Sequence, residues 1–318
     1  MGSPSSGRGK ILGIAKEATF GTGVAPAFFP KHTGFSGGLK PNLLKSKSRM
    51  GSRSAPPSIP DSVSGRIKVD MEVDPDNIGW YLKALCGSEV CAVDSGGTLS
   101  YKHTFTPQAG AVLPSFSLGL GYVVASMQAT GATLDSLSMN FTPKAIVEAS
   151  AEFAFRDEGT QTTMTPTYTS LLPWVFTQLG LVVDSVTSAD IKKVSIAAKN
   201  NIVDGDFRAN DGGKVSSISA GNFDLSGTIE GVSTTETLAL RTKMKAGTQV
   251  AIVITLTGSL IETGHSNKLT ITIPYVVFDT GEIGDEDEGM SLPLPWTAGA
   301  GTNPIVTFDL INTRATAY

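Results

Sequence analysis

The sequence predicts a mainly β protein with two tandem β-sandwich or barrel units, each flanked by one short α-helix. Alternating apolar and polar residues recur over many short stretches, two isolated stretches have helical spacing, and both halves show the same order of elements. The 318 residues suffice for two ordinary domains or one large β domain. We expect an N-terminal arm or loop with the first strand over 1–60, a first β domain over 61–165 and a second over 166–318.

The first strand and helix meet in one stretch, where the apolar period changes. Apolar and charged residues alternate from Ile67 to Val73, as in a strand with one buried face. The apolar residues then take helical spacing, at Ile78, Tyr81, Leu82 and Leu85. Asp74 is the predicted N-cap, Pro75 suits the first turn and Gly87 ends the helix.

Further alternating stretches predict the strands that follow this helix. They run over residues 116–120, 137–141 and 147–155. Residues 169–180 are predicted as a short buried turn or as the lip of the second unit.

The second half repeats this plan. Residues 225–247 parallel residues 63–87: both open with an apolar residue, Ser, Gly, any residue and Ile, and both close with a lysine-containing helix and Gly. Ser233 and Glu236 have capping-box spacing at the second helix start. Alternating stretches follow at 251–258 and 268–278. The pattern favours an internal duplication; the alternative is two β units alike only because β meanders resemble one another.

One face of the first predicted sheet is polar. A short amphipathic helix covers the apolar face, which leaves the other face free to line water. This candidate lumen-lining or polar sheet face contains Lys68, Asp70, Glu72, Glu148 and Glu152.

Two charged runs stand out, and both are solvated loops by default. Residues 1–60 are rich in Gly, Pro, Ser, Lys and Arg, and we expect a long loop or arm that orders against a neighbour. The acidic run spans residues 279–289; a calcium site is a weaker alternative there. The basic residues within 1–60 could instead pair with the acidic run of a neighbouring subunit, which would make both runs inter-subunit or inter-ring contacts. The basic candidates are Lys40, Lys45, Lys47, Arg49 and Arg53, and the acidic candidates are Asp285, Glu286, Asp287 and Glu288.

Enzymatic chemistry has little support. No nucleophile elbow, Walker A, zinc-protease or Cys-x-x-Cys motif is present. The three histidines, His32, His103 and His265, are isolated and are predicted to be surface or packing residues. We therefore predict no catalytic residues, no metal and no cofactor.

The totals exclude other classes. A net charge of −4 does not fit a general basic nucleic-acid binder. No apolar run has the roughly 18 residues of a membrane span, and no signal-peptide core is evident, so we expect cytosolic synthesis. Cys86 and Cys91 are predicted to be free thiols. Trp80, Trp174 and Trp296 are predicted as core or interface anchors.

An ordered set of stretches resembles the tail tube (major tail) proteins of long-tailed, siphovirus-like bacteriophages. The opening segment reads LGIAKEATFGTGVAP, and the strand–helix unit reads SGRIKVDMEVDPDNIGWYLKALCG. The next passages read YKHTFTPQAGAVLPSFSLGLG and GATLDSLSMNFTPKAIVEASAEF. The likeness covers roughly residues 11–155 and continues more faintly through NNIVDG, SGTIEG and KLTITIPYVVF.

The resemblance implies a structural virion protein that self-assembles into stacked rings. The inner strands of a ring would join into one β-barrel, and the tube would conduct DNA during ejection without binding it specifically. A duplicated chain would give a trimer with pseudo-sixfold symmetry; one tube domain plus an outer domain would give a hexamer. The implied partners are other copies, tape measure and tail terminator proteins, and the implied location is the virion tail after assembly in the host cytoplasm. The rival hypothesis is a β-sandwich adhesin or fibre-type binding protein.

Overall fold

The computed structural model describes residues 9–48, 54, 56–110, 112–122, 125–161, 164–188, 190–281, 284–286, 289–301 and 304–318. Over these residues the chain is mainly β, as predicted, with two α-helices. The first part contains β1 (Ile11–Lys16), β2 (Gly34–Lys45), β3 (Ser58–Glu72), α1 (Ile78–Cys86), β4 (Val90–Val93), β5 (Tyr101–Phe105), β6 (Phe116–Tyr122), β7 (Ala125–Phe141), β8 (Glu148–Phe155) and β9 (Asp157–Thr160). The second contains β10 (Leu179–Val183), β11 (Val186–Thr187), β12 (Ile191–Lys199), β13 (Val203–Phe207), β14 (Val215–Ser219), β15 (Asp224–Val232), α2 (Thr235–Lys245), β16 (Val250–Glu262), β17 (His265–Phe278), β18 (Gly284–Glu286), β19 (Gly289–Ala298) and β20 (Thr307–Asn312).

One long antiparallel sheet runs through both halves of the chain. Its strand order is β2-β3-β8-β7-β12-β15-β19-β18. A second sheet, in the order β4-β5-β20-β17-β16-β10-β11, joins the long sheet where the end of β17 pairs with β19. The first half of β7 pairs with β6 and β9, and β6 pairs with β1.

Five antiparallel pairings of the first half have counterparts in the second. The pairs β1–β6, β2–β3, β3–β8, β6–β7 and β7–β8 occur in the first half. The pairs β10–β16, β12–β15, β15–β19, β16–β17 and β17–β19 occur in the same order in the second. The division of the chain into tandem units at 165/166 stays a prediction, which these pairings favour.

The glycine of each Ser-Gly-x-Ile motif lies opposite an aromatic ring. Gly65 of β3 pairs with Phe155, and a Cβ at Gly65 would lie 2.2 Å from Cζ of that ring. Gly227 of β15 pairs with Trp296, and a Cβ there would lie 2.4 Å from its Cζ2. Both aromatic residues are fully buried. The motif therefore leaves room for a large ring to fill the core across the strand pair.

The sequence predicted the start of α1 more closely than the start of α2. Asp74 makes the capping bonds predicted for it: its carboxylate accepts the N–H groups of Asp76 and Asn77, both at 2.9 Å, and its carbonyl accepts the Ile78 N–H at 3.3 Å, where the regular helix begins. Gly87 ends α1 as predicted, with φ of 77°. The predicted capping box of Ser233 and Glu236 is wrong by one residue, because Thr234 is the N-cap and Thr237 is its partner.

The helices also differ in burial. Every residue of α1 is buried, whereas only Thr237 and Leu240 of α2 are. The covering of α1 comes partly from residues far along the chain: the ring of Tyr318 lies edge-on against Trp80 at 5.6 Å and occupies the space above Gly79. The predicted core role of Trp80, Trp174 and Trp296 is confirmed by their burial.

Part of the predicted N-terminal loop is a strand. Residues 34–45 form β2, which pairs with β3 from Gly34↔Asp70 to Lys45↔Ser58. The backbone at Gly37 requires glycine, since φ is 132° and a Cβ would lie 2.1 Å from the Arg66 carbonyl oxygen. The interpretation as a loop was wrong because the glycines, Pro41 and lysines hide a strand that is stabilised by its partner rather than by its own propensity.

Candidate assembly interface

The predicted polar face is one side of the long sheet. Lys68 pairs with Glu152, and Glu72 with Glu148, while the intervening residues Val69 and Met71 are buried in the core. The Nζ atom of Lys68 lies 3.0 Å from the carboxylate of Asp70, and both side chains are about half exposed. The five predicted residues therefore lie together on one solvated face.

An ion-pair network at one edge of this face connects the two halves. Arg66 of β3 contacts Asp135 at 2.6 Å, Glu152 at 3.2 Å and Asp204 of β13 at 3.1 Å. Burial opposes the guanidinium charge, but the hydrogen bonds to Asp135 and Glu152 outweigh it and raise the pKa of Arg66. The side chain is partly exposed, so solvent screens much of this attraction.

The halves meet along a six-residue strand pair, which we call the internal junction. Residues 136–141 of β7 pair with 194–199 of β12, from Ser136↔Lys199 to Phe141↔Val194. Beyond its end, the Asn200 N–H donates to the Asp135 carbonyl at 2.7 Å. The buried Asn200 amide also donates to the carbonyls of Leu85 and Leu134, at 3.1 and 2.9 Å, so it ties the junction to α1.

Both ends of the long sheet are open among the described residues. β2 pairs with β3 on one side, and β18 pairs with β19 on one side. Neither strand has a described partner on its other edge. α2 holds Gly281, because Arg241 Nε donates to the Gly281 carbonyl at 2.9 Å. Open edges present unpaired N–H and C=O groups, which are a template for another chain.

The outer end of the β2–β3 hairpin is apolar and exposed. Leu43, Leu44 and Ile59 have 54%, 50% and 56% of their surface exposed. The hairpin is steadied from the second half, because the Val63 N–H donates to the Gly213 carbonyl at 2.8 Å. We call Leu43, Leu44 and Ile59 the hairpin tip. An exposed apolar cluster of this kind on a protruding element is typical of a protein contact.

A second connection between the halves centres on Glu262, at the end of β16. Its carboxylate accepts five hydrogen bonds of 2.7–2.9 Å from residues 98–100, three from backbone N–H groups and two from hydroxyls. The hydroxyl of Thr98 and the N–H of Leu99 are the main causes that hold the pKa of Glu262 well below its ordinary value.

The described residues contain no cluster of three or more His, Cys, Asp or Glu that could hold a metal. His103 is a packing residue as expected: its ring is buried and bonds Glu89 and the Arg314 carbonyl, each at 2.9 Å. His265 lies 2.7 Å from Asp94. Both cysteines are free, as predicted.

The candidate contact residues divide into two groups. Lys40, Lys45 and Lys47 are described and exposed, the first two on β2. Asp285 and Glu286 lie on β18. Arg49, Arg53, Asp287 and Glu288 lie outside the described residues. The strands that carry the described members, β2 and β18, lie at opposite ends of the long sheet.

Sequence reasoning missed the residues that connect the halves. Arg66, Asp135, Asn200 and Glu262 lie on different strands or loops, 66–162 residues from these partners in the chain. A single sequence contains no periodic signal for such contacts. Only the unusual placing of Arg66, beside a motif glycine, could have drawn attention to it.

Comparison with known proteins agrees with the fold. A family model described as phage tail tube protein matches residues 7–298, which is most of the chain and includes both halves. No curated protein matches significantly. None of the described helices combines the length and the apolarity needed to cross a bilayer.

Proposed function

The chain belongs to the phage tail tube protein family, and from this premise we propose that it assembles with its own copies into stacked rings that conduct DNA during ejection. It is a structural tail tube protein, and the family implies a component of the virion tail. The observation that carries the proposal is the long sheet with two open ends. A sheet that closes on itself through neighbouring copies has no exposed edges left.

We propose that the ring is a trimer with pseudo-sixfold symmetry, made of tandem units over 61–165 and 166–318 behind an N-terminal segment. Each half contributes four strands to the long sheet, and the halves repeat the same pairings. Three chains would then place six similar units around the axis. In the hexameric alternative, the second half would lie outside the barrel and would not share the long sheet with the first.

The polar face is the proposed lumen wall. Four of its five predicted charged residues are carboxylates; Ser150 lies between Glu148 and Glu152 on β8, and Ser138 and Asn140 lie beside them on β7. Carboxylates repel phosphates, so DNA would slide without the counterion release that holds it on basic surfaces. Wild-type tubes should therefore retain no duplex DNA at physiological salt. Tubes of the Glu72→Lys, Glu148→Lys double variant should retain it, with binding that weakens as salt rises.

The hairpin tip is the proposed contact between rings, together with the basic residues Lys45 and Lys47 beside it. Apolar side chains that are half exposed in a monomer become buried when a second ring lies against them. Tape measure and tail terminator proteins would bind the lumen and the tube end, and assembly would take place in the host cytoplasm.

Electron microscopy of the purified chain tests the proposal. Negative-stain images with rotational averaging should show rings or tubes with threefold order and six density lobes. Six chains per ring by mass would overturn the trimer. Strictly monomeric particles under all conditions would overturn assembly itself. A Leu43→Ser, Leu44→Ser, Ile59→Ser variant should still form rings but not tubes; unimpaired tubes would exclude the hairpin tip as the stacking contact.

A further inference from the structure

The internal junction provides a template for the joint between neighbouring chains. β12 has strand partners on both sides, β15 and β7. Its counterpart in the first half, β2, has the matching partner β3 on one side and an open edge on the other. The partner that is missing from β2 is therefore a strand equivalent to β7, and the described residues include one such strand with an open edge.

That strand is β18, as the pairings of the long sheet show. The motif glycines align β3 with β15, and their aromatic partners Phe155 and Trp296 align β8 with β19. Along β8, Ser150 pairs with Ser138 of β7. Along β19, the equivalent Ser291 pairs with Gly284 of β18. β18 thus occupies, beside β19, the position that the second half of β7 occupies beside β8.

Resting on the proposed ring, we infer that the open edge of β2 pairs antiparallel with β18 of a second copy of this chain, with Lys40 opposite Gly284, Leu39 opposite Asp285 and Gly38 opposite Glu286. This register is that of the internal junction. There Ala197, Ile196 and Ser195 pair with Ser138, Met139 and Asn140. Leu39 is equivalent to Ile196, because each pairs with the motif glycine of its own half.

Charge supports the choice of a second copy as the occupant. β2 carries Lys40 and Lys45, which are exposed and make no ion pair with another described residue. β18 carries Asp285 and Glu286. In the stated register Lys40 and Glu286 are diagonal neighbours on one sheet face, where opposite charges attract, whereas two β2 edges or two β18 edges would bring like charges together. The joint is therefore head-to-tail, the kind of contact from which a closed ring is built.

Disulfide trapping tests the register. Two single variants, Lys40→Cys and Gly284→Cys, are mixed in a Cys91→Ser background and oxidised after ring formation. Directly paired residues on one sheet face come within disulfide distance, whereas a one-residue slip places the side chains on opposite faces. We expect a covalent dimer in yields about tenfold above the control mixture of Lys40→Cys with Asp285→Cys.

The outcomes separate this inference from the proposed function. Rings that form but give no more dimer for Lys40/Gly284 than for the control overturn the inference and leave ring assembly standing. Absence of rings from the parent chain overturns the proposed function. As a second measurement, Lys40→Glu should weaken ring formation at low salt, and the exposed turn variant Lys144→Glu should not; equal effects would also overturn the joint.

Discussion

The motif glycines give the sharpest test of how the two halves are packed. In Gly65→Ala the added methyl would lie 2.2 Å from the Phe155 ring, whereas carbon atoms pack at roughly 3.5–4.0 Å. The ring is 1% exposed, so it is enclosed by the core. Overpacking of this kind costs about 1–3 kcal/mol, and the loss of glycine flexibility in the unfolded chain returns about 0.5–1 kcal/mol. We expect a net loss of about 0.5–2 kcal/mol in the free energy of unfolding.

Gly227→Ala should be more damaging than Gly65→Ala. Its methyl would meet not only the Trp296 ring but also the Ser195 carbonyl oxygen, at 2.1 Å. That oxygen belongs to β12, which is paired on both sides and cannot retreat without breaking the ladder. Truncating the ring should therefore rescue the two variants unequally: Phe155→Leu should restore much of the loss in Gly65→Ala, and Trp296→Leu only part of the loss in Gly227→Ala.

Urea unfolding followed by far-ultraviolet circular dichroism measures these differences, with Gly205→Ala as the matched control. Gly205 is also a strand glycine, and a Cβ there would have no atom within 4 Å. Each rescue is read as a coupling free energy, for which contacting residues give about 0.5–3 kcal/mol. The reasoning fails if Gly65→Ala is as stable as Gly205→Ala, or if Phe155→Leu destabilises both backgrounds equally.

Three further predictions concern contacts away from the glycines. Asn200→Ala should lower the free energy of unfolding by about 1–3 kcal/mol, because it removes the side-chain amide that donates to the carbonyls of Leu85 and Leu134. Exposed Asn222→Ala is the control, and equal losses of stability in the two variants would contradict the account. Glu262→Gln should lower the melting temperature at neutral pH. Because the folded-state pKa of Glu262 is depressed, the ionised carboxylate stabilises the fold fully above its unfolded pKa of about 4.5, and this stabilisation is lost as pH falls through the lower folded pKa. The melting temperatures of the wild type and the variant should therefore converge in acid. A constant difference between them from pH 7 to 2 would refute this. In the native protein a thiol reagent should label Cys91 but not Cys86, because burial raises the pKa of the Cys86 thiol. Mass spectrometry should find two labels per chain only in urea. Two labels without urea would contradict the burial of Cys86.

The sequence predicted the strand–helix units well because their signals are local. Alternation from Ile67 to Val73 and the helical spacing after Ile78 needed no knowledge of distant residues, and both elements are present. The helix starts were predicted unequally: Asp74 accepts the expected N–H bonds at the start of α1, whereas Thr234 takes the capping position expected of its neighbour Ser233. Capping preference alone does not decide between adjacent polar residues.

Elements defined by distant pairing were not predictable in the same way. β2 was mistaken for a loop because its ladder with β3, not its composition, makes it a strand. The internal junction joins β7 to β12 across more than 50 residues, and nothing in either strand names the other. The repeat of the motif indicated two similar halves, but the reason for its glycine emerged only when Phe155 and Trp296 were seen opposite.

The β7–β12 junction has a mechanical consequence for a cylinder built from this chain. Because both strands of that seam belong to one polypeptide, they stay covalently tethered to each other. They therefore meet at the high effective concentration of a tethered pair. In the proposed ring every second seam is of this kind, so only half of the seams must form by collision. Under outward pressure or shear, such a wall would separate first along the seams between chains. The seams within a chain would re-form more readily, because their strands remain tethered.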